Sequence, residues 1–311
     1  MFELARTVTP EQPDSALLVR ITDLKVDPSG RFIVADYSES NVKVYAADGT
    51  LQHVIGRRGH GPSEFPSAQY LVLVGQAHAY VGGSATNRLS LLNLTDGTVE
   101  ETILLDGLSG VFGLVASENG SVFASVRSFT DGGNALAHLD GHGNILDRLV
   151  PIEVKSAAAR AAWNIFVGQS IGVINDTIWI LPEVSDTAWT FDPGTGSTSR
   201  IGIPLVNYAP PQDQPDNLAN ALDFLEWRRA FDGPLAPLQV GSHVAVPFVR
   251  GSRNDGDRIS LAIRSPAGEW HTLTNAPAVI GAFADTLVAI ADPTGNTLQF
   301  VLYSLRSVDR E

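Results

Sequence analysis

The stretch "ITDLKVDPSGRFIVADYSESNVKVYAADGTLQHVIGRRGHGPSEF", Ile21–Phe65, decides the fold of this chain. It divides into four short runs rich in Val, Ile and aromatic residues, and turns that carry Gly or Ser separate them: ITDLKVDPSG, RFIVADYSE, NVKVYAADG and LQHVIGRRG. Asp-Gly pairs such as Asp48-Gly49 tolerate positive φ and suit tight hairpins. The stretch therefore predicts four short β-strands joined in one sheet.

Turns of the same kind recur along the rest of the chain. They follow the one near residue 48 at about 96, 140, 192 and 266, in steps of 48, 44, 52 and 74. The long last step contains an insertion of about 25 residues, and without it the steps agree. A period in the forties with four strands per unit is typical of a β-propeller.

The units can be counted from their first strands. Later units begin near residues 69, 108, 163, 235 and 278, which makes six blades. The last unit has only three evident strands, so we expect the N-terminal "FELARTVT" to supply its fourth and to close the ring. The prediction is an all-β protein, one six-bladed domain over residues 1–311, with a helical insertion at 212–232 between blades four and five.

The ten residues Gly56–Phe65, "GRRGHGPSEF", follow the fourth strand of blade one. They resemble the G-x-x-G-x-G-P-x-E-F turn of NHL-repeat propellers and related bacterial six-bladed propellers, with Ser63 where a Gly is common. The resemblance implies a structural link between blades, and a bacterial protein that works in the periplasm or is secreted after a leader is removed. A phosphate-binding P-loop is rejected, because no Gly-Lys-Ser/Thr and no helix follows.

Composition narrows the function. The formal net charge is −13 and the chain has no cysteine. An acidic surface repels nucleic-acid backbones, so nucleic-acid binding is not expected. The missing thiols exclude disulfides, thiolate metal sites and cysteine nucleophiles, and no apolar run reaches the length of a membrane span.

Arginine concentrates in the loops expected at one end of the propeller. These are the loops between the second and third strands of each blade, together with the stretch Arg57–Phe65. Guanidinium groups bind carboxylates and phosphates through two parallel hydrogen bonds. We therefore expect an anion or an acidic partner segment to bind there, although pairing with nearby acids, including Asp36 and Glu64, is the alternative. The candidate ligand-binding residues are Arg57, Arg58, His60, Arg88, Arg127, Arg250 and Arg253.

Catalytic and metal-binding patterns are sparse. His60, beside two arginines and ahead of Glu64, is the weak candidate for acid–base chemistry. In the predicted innermost strands only Asp23 and Asn164 could ligate calcium, so no metal and no cofactor is predicted.

The insertion offers a second surface. "QPDNLANALDFLEWRRAF" has Leu at helical spacing, and Phe224, Trp227 and Phe231 add an adjoining apolar stripe. Such a stripe must pack on the propeller, cover its mouth or dock a partner protein.

Taken together, these features favour a non-catalytic recognition module that binds a protein partner or an anionic ligand at the propeller mouth. The alternative is a metal-assisted hydrolase or lyase that acts in the central channel.

Overall fold

The computed structural model describes residues 2–128, 134–140, 144–149, 169–182, 185–205, 232–250, 258–292 and 297–305. The predicted insertion at 212–232 lies outside these ranges except for Asp232. Every described element is a β-strand, turn or irregular segment, and no helix occurs among them. The described residues accordingly contain no helix that is long and apolar enough to cross a membrane.

The strands group into six antiparallel sheets, each a blade. The first strand of the chain, β1 (Phe2–Val8), belongs to the last blade, and the next four form blade one: β2 (Ile21–Val26), β3 (Phe32–Asp36), β4 (Asn41–Tyr45) and β5 (Leu51–Ile55). Blade two consists of β6 (Tyr70–Val74), β7 (His78–Gly82), β8 (Arg88–Asn93) and β9 (Thr98–Leu104). Blade three consists of β10 (Leu108–Ala116), β11 (Val122–Ser128), β12 (Asn134–Leu139) and β13 (Ile145–Leu149).

The remaining strands complete the second half of the ring. Blade four consists of β14 (Gln169–Ile174), β15 (Thr177–Pro182), β16 (Thr187–Phe191) and β17 (Thr198–Gly202). Blade five contains β18 (Gly233–Pro234), β19 (Leu238–Val240), β20 (His243–Arg250), β21 (Arg258–Arg264) and β22 (Trp270–Leu273). Blade six contains β23 (Ala278–Phe283), β24 (Thr286–Ala291), β25 (Gln299–Leu305) and β1.

The innermost strands of neighbouring blades contact one another in a closed cycle. Strand β2 contacts β6, then β10, β14, β19 and β23 follow in turn, and β23 contacts β2 again. The predicted six-bladed propeller is therefore confirmed, with four-stranded antiparallel blades around a common axis.

The core lies between the blades rather than inside any one of them. In blade one, β3 and β4 are buried on both faces because a neighbouring blade covers each face. Ile33 and Ala35 pack against Leu71 of blade two, whereas Phe32 packs in the other direction against Phe300 of blade six, at 5.0 Å between ring centroids. This two-sided burial explains why the middle strands are nearly continuous apolar runs.

The ring closes as the sequence predicts. Strand β1 pairs antiparallel with β25, from Phe2 opposite Leu305 to Val8 opposite Phe300, with an irregularity between Leu4 and Arg6. One blade thus contains both ends of the described chain, and β25 has no open edge along this register.

One inner strand differs from its predicted form. The predicted start of blade four near Trp163 lies outside the described residues, and the described strand there begins at Gln169. In blade five the inner position is divided between β18 and β19, which both pair with β20. Pro237 lies in the break, where its missing N–H would interrupt a strand.

Candidate functional site

The loops between second and third strands lie at one end of the propeller, opposite the hairpins that join first and second strands. The predicted loops Asp36–Asn41, Gly82–Arg88, Pro182–Thr187 and Arg250–Arg258 coincide with the gaps between the observed strands. We call this end of the propeller, with the inter-blade stretches that contact these loops, the mouth. Every predicted ligand-binding residue whose position the structure describes lies at the mouth.

The stretch Gly56–Phe65 forms a closed loop held by its own hydrogen bonds. The Phe65 amide donates to the Arg57 carbonyl at 2.8 Å, and the Gly59 amide donates to the Phe65 carbonyl at 3.2 Å. The Glu64 carboxylate accepts from the Gly61 amide and from Arg57 Nε, each at 2.9 Å. The Gly61 amide and Arg57 together lower the pKa of Glu64 below its ordinary value.

Two positions explain the glycine pattern of this loop. Gly56 has φ +77°, and a Cβ there would collide with the ring of Phe65, which is buried. Ser63 has φ +58°, a conformation that Gly adopts more easily. Both positions therefore serve the turn that links blade one to blade two.

Arg58 connects this loop to the loop after β3. Its Nη2 donates to the carbonyls of Tyr37 and Ser38, both at 2.9 Å, and its Cζ lies 6.0 Å from the centroid of the Tyr37 ring. A second arginine, Arg20, lies nearer to the same ring, at 4.9 Å. Tyr37 therefore has two guanidinium groups beside its ring.

A buried carboxylate fixes the backbone around Tyr37. Asp36 accepts the amides of Val19 at 2.8 Å and Arg20 at 3.2 Å, and its Oδ2 lies 3.1 Å from Lys43 Nζ. Burial acts to raise the pKa of Asp36, but the Val19 amide and the Lys43 charge outweigh it, and the pKa falls below its ordinary value. Asp36 is thus an ionised anchor for two loops of the mouth.

Arg88 and His60 meet at the edge between blades one and two. Arg88 Nη1 donates to the His60 carbonyl at 3.0 Å, so the interaction involves the His60 backbone rather than its imidazole. The acid–base hypothesis needs His60 to act with Glu64, but within the described residues Glu64 bonds to Arg57 and Gly61 instead. His60 as a catalytic group stays a prediction.

Other predicted residues are placed only in part. The backbones of Arg127 and Arg250 lie at the mouth ends of β11 and β20, opposite Asn134 and Arg258 respectively. Five predicted residues lie outside the described ranges: Arg253, Asn164, and the apolar Phe224, Trp227 and Phe231 of the insertion.

Asp23, the other channel candidate, is engaged in holding blades together. Its Oδ2 accepts the Leu71 amide of blade two at 2.8 Å, and its Oδ1 lies 2.7 Å from Lys25 Nζ. Across the described ranges, no three His, Asp or Glu side chains converge as a metal centre would require.

Sequence reasoning missed Arg20 and Tyr37. Tyr37 was visible inside the predicted loop Asp36–Asn41, and Arg20 precedes blade one, where an inter-blade stretch is expected. An inter-blade position combined with a loop tyrosine was the signal that could have found them.

The fold of this chain is similar to that of solved propeller structures. A Bacteroides fragilis protein provisionally described as exported matches with a TM-score of 0.73 at 13% identity, covering 98% of this chain and 96% of that one. A DUF4221 family member from Bacteroides vulgatus matches with a TM-score of 0.69 at 9% identity, covering 98% of each chain. Virginiamycin B lyase from Staphylococcus aureus matches with a TM-score of 0.56 at 11% identity, covering 98% of this chain and all of that one.

No curated protein matches the chain significantly. These structural likenesses, all at low identity, show the fold alone. A family model, in contrast, matches residues 1–180, more than half of the chain. The chain belongs to the DUF5128 family of 6-bladed beta-propellers.

Proposed function

We propose that this propeller is a recognition module whose mouth binds an anionic group, either on a protein partner or on a small ligand. The observation that carries the proposal is the way in which two mouth arginines are held. Arg58 and Arg88 donate to backbone carbonyls of neighbouring loops. Within the described residues neither forms an ion pair with a carboxylate.

A carbonyl fixes a guanidinium in place but leaves its charge uncompensated. A guanidinium has five N–H donors, and Arg58 uses only Nη2 in its described hydrogen bonds. The other donors remain for a ligand oxygen, and no flexible side chain has to be ordered first. Arg57 differs, because Glu64 already neutralises it. We therefore rank Arg58 and Arg88 above Arg57 as ligand-binding residues.

The positive groups at the mouth oppose the overall charge of the protein. With a formal net charge of −13, the chain repels most anions. Binding at such a site therefore requires close contact with the arginines rather than long-range attraction. We expect binding that weakens as salt rises.

We place this function outside the cytoplasm. The structural likeness to a Bacteroides protein described as exported supports a periplasmic or secreted location. The apolar residues Phe224, Trp227 and Phe231 are kept as a second candidate surface for the partner.

The test is thermal unfolding in the presence of poly-glutamate, citrate, phosphate or sulfate. A ligand at about 100 times its Kd adds about 2.7 kcal/mol to the folded state, which is a clear rise in Tm. We expect at least one of these anions to raise the Tm of the wild type. The rise should shrink in Arg58→Ala/Arg88→Ala and in Arg127→Ala/Arg250→Ala. A rise in Tm that is as large in both double variants as in the wild type would contradict the proposal, and so would the absence of any rise in the wild type.

The same assay addresses the enzymatic alternative. Virginiamycin B lyase shares the propeller fold, so chelator and a panel of divalent cations belong in the experiment. A fall in Tm with chelator, restored by one metal, would favour a metal-assisted hydrolase or lyase over the recognition module.

A further inference from the structure

We propose that Arg20, Tyr37 and Arg58 form a docking site for a carboxylate-bearing segment of a partner protein in which an apolar residue neighbours the acid. This inference rests on the proposed function and identifies the chemistry of the partner. We call these three residues the arginine–tyrosine cluster. Arg20 and Tyr37 were not among the candidates from the sequence.

The geometry of the cluster suits a carboxylate. The two Cζ atoms lie 4.9 Å and 6.0 Å from the Tyr37 centroid, so they are at most about 11 Å apart. Tyr37 contributes an aromatic face, and each arginine contributes a fork that matches a carboxylate in shape and charge. One or two acidic side chains of an extended segment can reach both guanidinium groups.

Both charges of the cluster are uncompensated in the described structure. Neither Arg20 nor Arg58 forms an ion pair there. Glu39 is the exposed acid nearest in sequence to Tyr37, yet it too forms no ion pair among the described residues. The buried Asp36, which accepts the Arg20 amide, is neutralised by Lys43. An incoming carboxylate would therefore be the first counterion of these two arginines.

Hydrogen bonds to main-chain groups hold the segments of the cluster together. The Tyr37 amide donates to the Arg20 carbonyl at 2.9 Å, and the Tyr37 carbonyl accepts Arg58. Two separate segments of chain are thus locked onto the loop after β3. Little conformational freedom is lost on binding when the site is already formed, and this favours affinity.

Exposed apolar side chains adjoin the cluster in sequence. Leu17 and Val19 are 47% and 59% exposed, while Leu18 between them is buried and anchors the segment. Arginine and tyrosine are enriched in protein-binding hot spots, and the exposed Leu17 and Val19 supply apolar surface in the segment beside them. A free inorganic anion would use only the arginines, whereas a segment with an apolar residue beside its acid would use all of these groups.

The experiment measures the fluorescence anisotropy of short labelled peptides with the full chain. The probes are a peptide of alternating Glu and Leu, the same peptide with Gln for Glu, and the same peptide with Ser for Leu. We expect the Glu–Leu peptide to bind the wild type, and both altered peptides to bind more weakly by about tenfold.

Variants then locate the site. Arg20→Ala should weaken the Glu–Leu peptide by about tenfold, and Arg20→Lys should recover only part of this because the fork is lost. Val19→Ser should weaken the Glu–Leu peptide but leave the Glu–Ser peptide unchanged. Arg200→Ala is the matched control, because Arg200 stacks on Trp189 at 3.9 Å on the outer strands of blade four.

The outcomes separate this inference from the general proposal. If poly-glutamate raises the Tm of the wild type and the Arg20 and Val19 variants bind the Glu–Leu peptide normally, the mouth binds anions but this cluster is not the site. If the Gln–Leu peptide binds as tightly as the Glu–Leu peptide, the carboxylate chemistry is wrong. If inorganic phosphate alone binds and no peptide does, the partner is not a protein segment.

Discussion

Lys43 Nζ lies 3.1 Å from Asp36 Oδ2, and neither side chain has any solvent-exposed surface. The two residues lie on adjacent strands, on the face of blade one that packs against blade six. Lys43 also donates to Asn41 Oδ1 at 2.9 Å, so the buried ammonium has two oxygen partners. This pair fixes the loop that presents Tyr37.

Asp36→Asn should strongly destabilise the propeller. The change leaves the Lys43 ammonium buried without its counterion, and breaking a buried pair in this way costs about 3–5 kcal/mol. Urea unfolding followed by circular dichroism measures the loss. Asp36→Asn combined with Lys43→Met should regain part of it, because the orphaned charge is then gone. A single variant as stable as the wild type would show that the pair contributes nothing.

The loss of unfolding free energy caused by Asp36→Asn should depend on pH. The pKa of Asp36 lies below its ordinary value of 3.8 because the Val19 amide and Lys43 outweigh burial. Between the folded pKa and 3.8 the unfolded chain binds more protons, so the free energy of unfolding rises with pH in that window. The stabilisation by Asp36 is therefore complete above the window and is lost as pH falls through the folded pKa.

The measurement is the difference in unfolding free energy between wild type and Asp36→Asn at several pH values from 6 downward. We expect a constant gap at neutral and mildly acidic pH and a narrower gap once pH drops well below 3.8. Subtracting the unfolding free energy of the variant from that of the wild type removes the contribution of the other carboxylates to acid denaturation. A gap that stays the same width at the lowest pH would contradict the lowered pKa.

The fold could be predicted from the sequence because its hairpin turns are local and repeat. Asp48-Gly49 and the equivalent turns mark strand ends without any knowledge of packing, and loops such as Arg250–Arg258 followed from them. The division of the inner strand in blade five escaped prediction, although Pro237 marks the break. Apolar runs alone predict one continuous inner strand, whereas a residue without an N–H interrupts the pairing of such a strand.

The candidate site was harder to predict because it depends on which charges are buried. The alternative drawn from the sequence paired Asp36 with loop arginines, yet the structure buries Asp36 against Lys43, and Arg58 donates to carbonyls instead. Burial of a carboxylate at a strand end follows from contacts between blades that are distant in sequence. The stacking of Arg20 near Tyr37 needs the same contacts, so the pattern of residues alone does not reveal it.

Gly56→Ala should destabilise the protein more than Gly75→Ala. Both glycines have positive φ, +77° and +63°, so either alanine is strained by about 1 kcal/mol or more. At Gly75 a Cβ would meet no atom, whereas at Gly56 it would collide with the Phe65 ring. Moving a buried ring costs about 1–3 kcal/mol further. Parallel urea titrations of the two variants isolate the steric part, and equal losses would show that Phe65 moves freely.

Removing β1 should open the ring and promote association. Without residues 2–8, the edge of β25 from Phe300 to Leu305 loses its partner. Exposed strand edges pair with other chains, so we expect a lower Tm and larger species in size-exclusion chromatography. The synthetic peptide FELARTV, added in excess, should reverse both effects if the loss comes from the open edge.

Point variants in β1 separate its packing from its edge pairing. Val8 is 5% exposed and packs with Phe32 and Phe300, whereas Leu4 is 58% exposed. Val8→Ala should cost about 1–3 kcal/mol through lost burial and a cavity. Leu4→Ala should stay within about 0.5 kcal/mol of the wild type. Equal effects at the two positions would mean that β1 contributes only backbone hydrogen bonds, and the closure of the ring would then depend on the β25 edge rather than on the core between blades one and six.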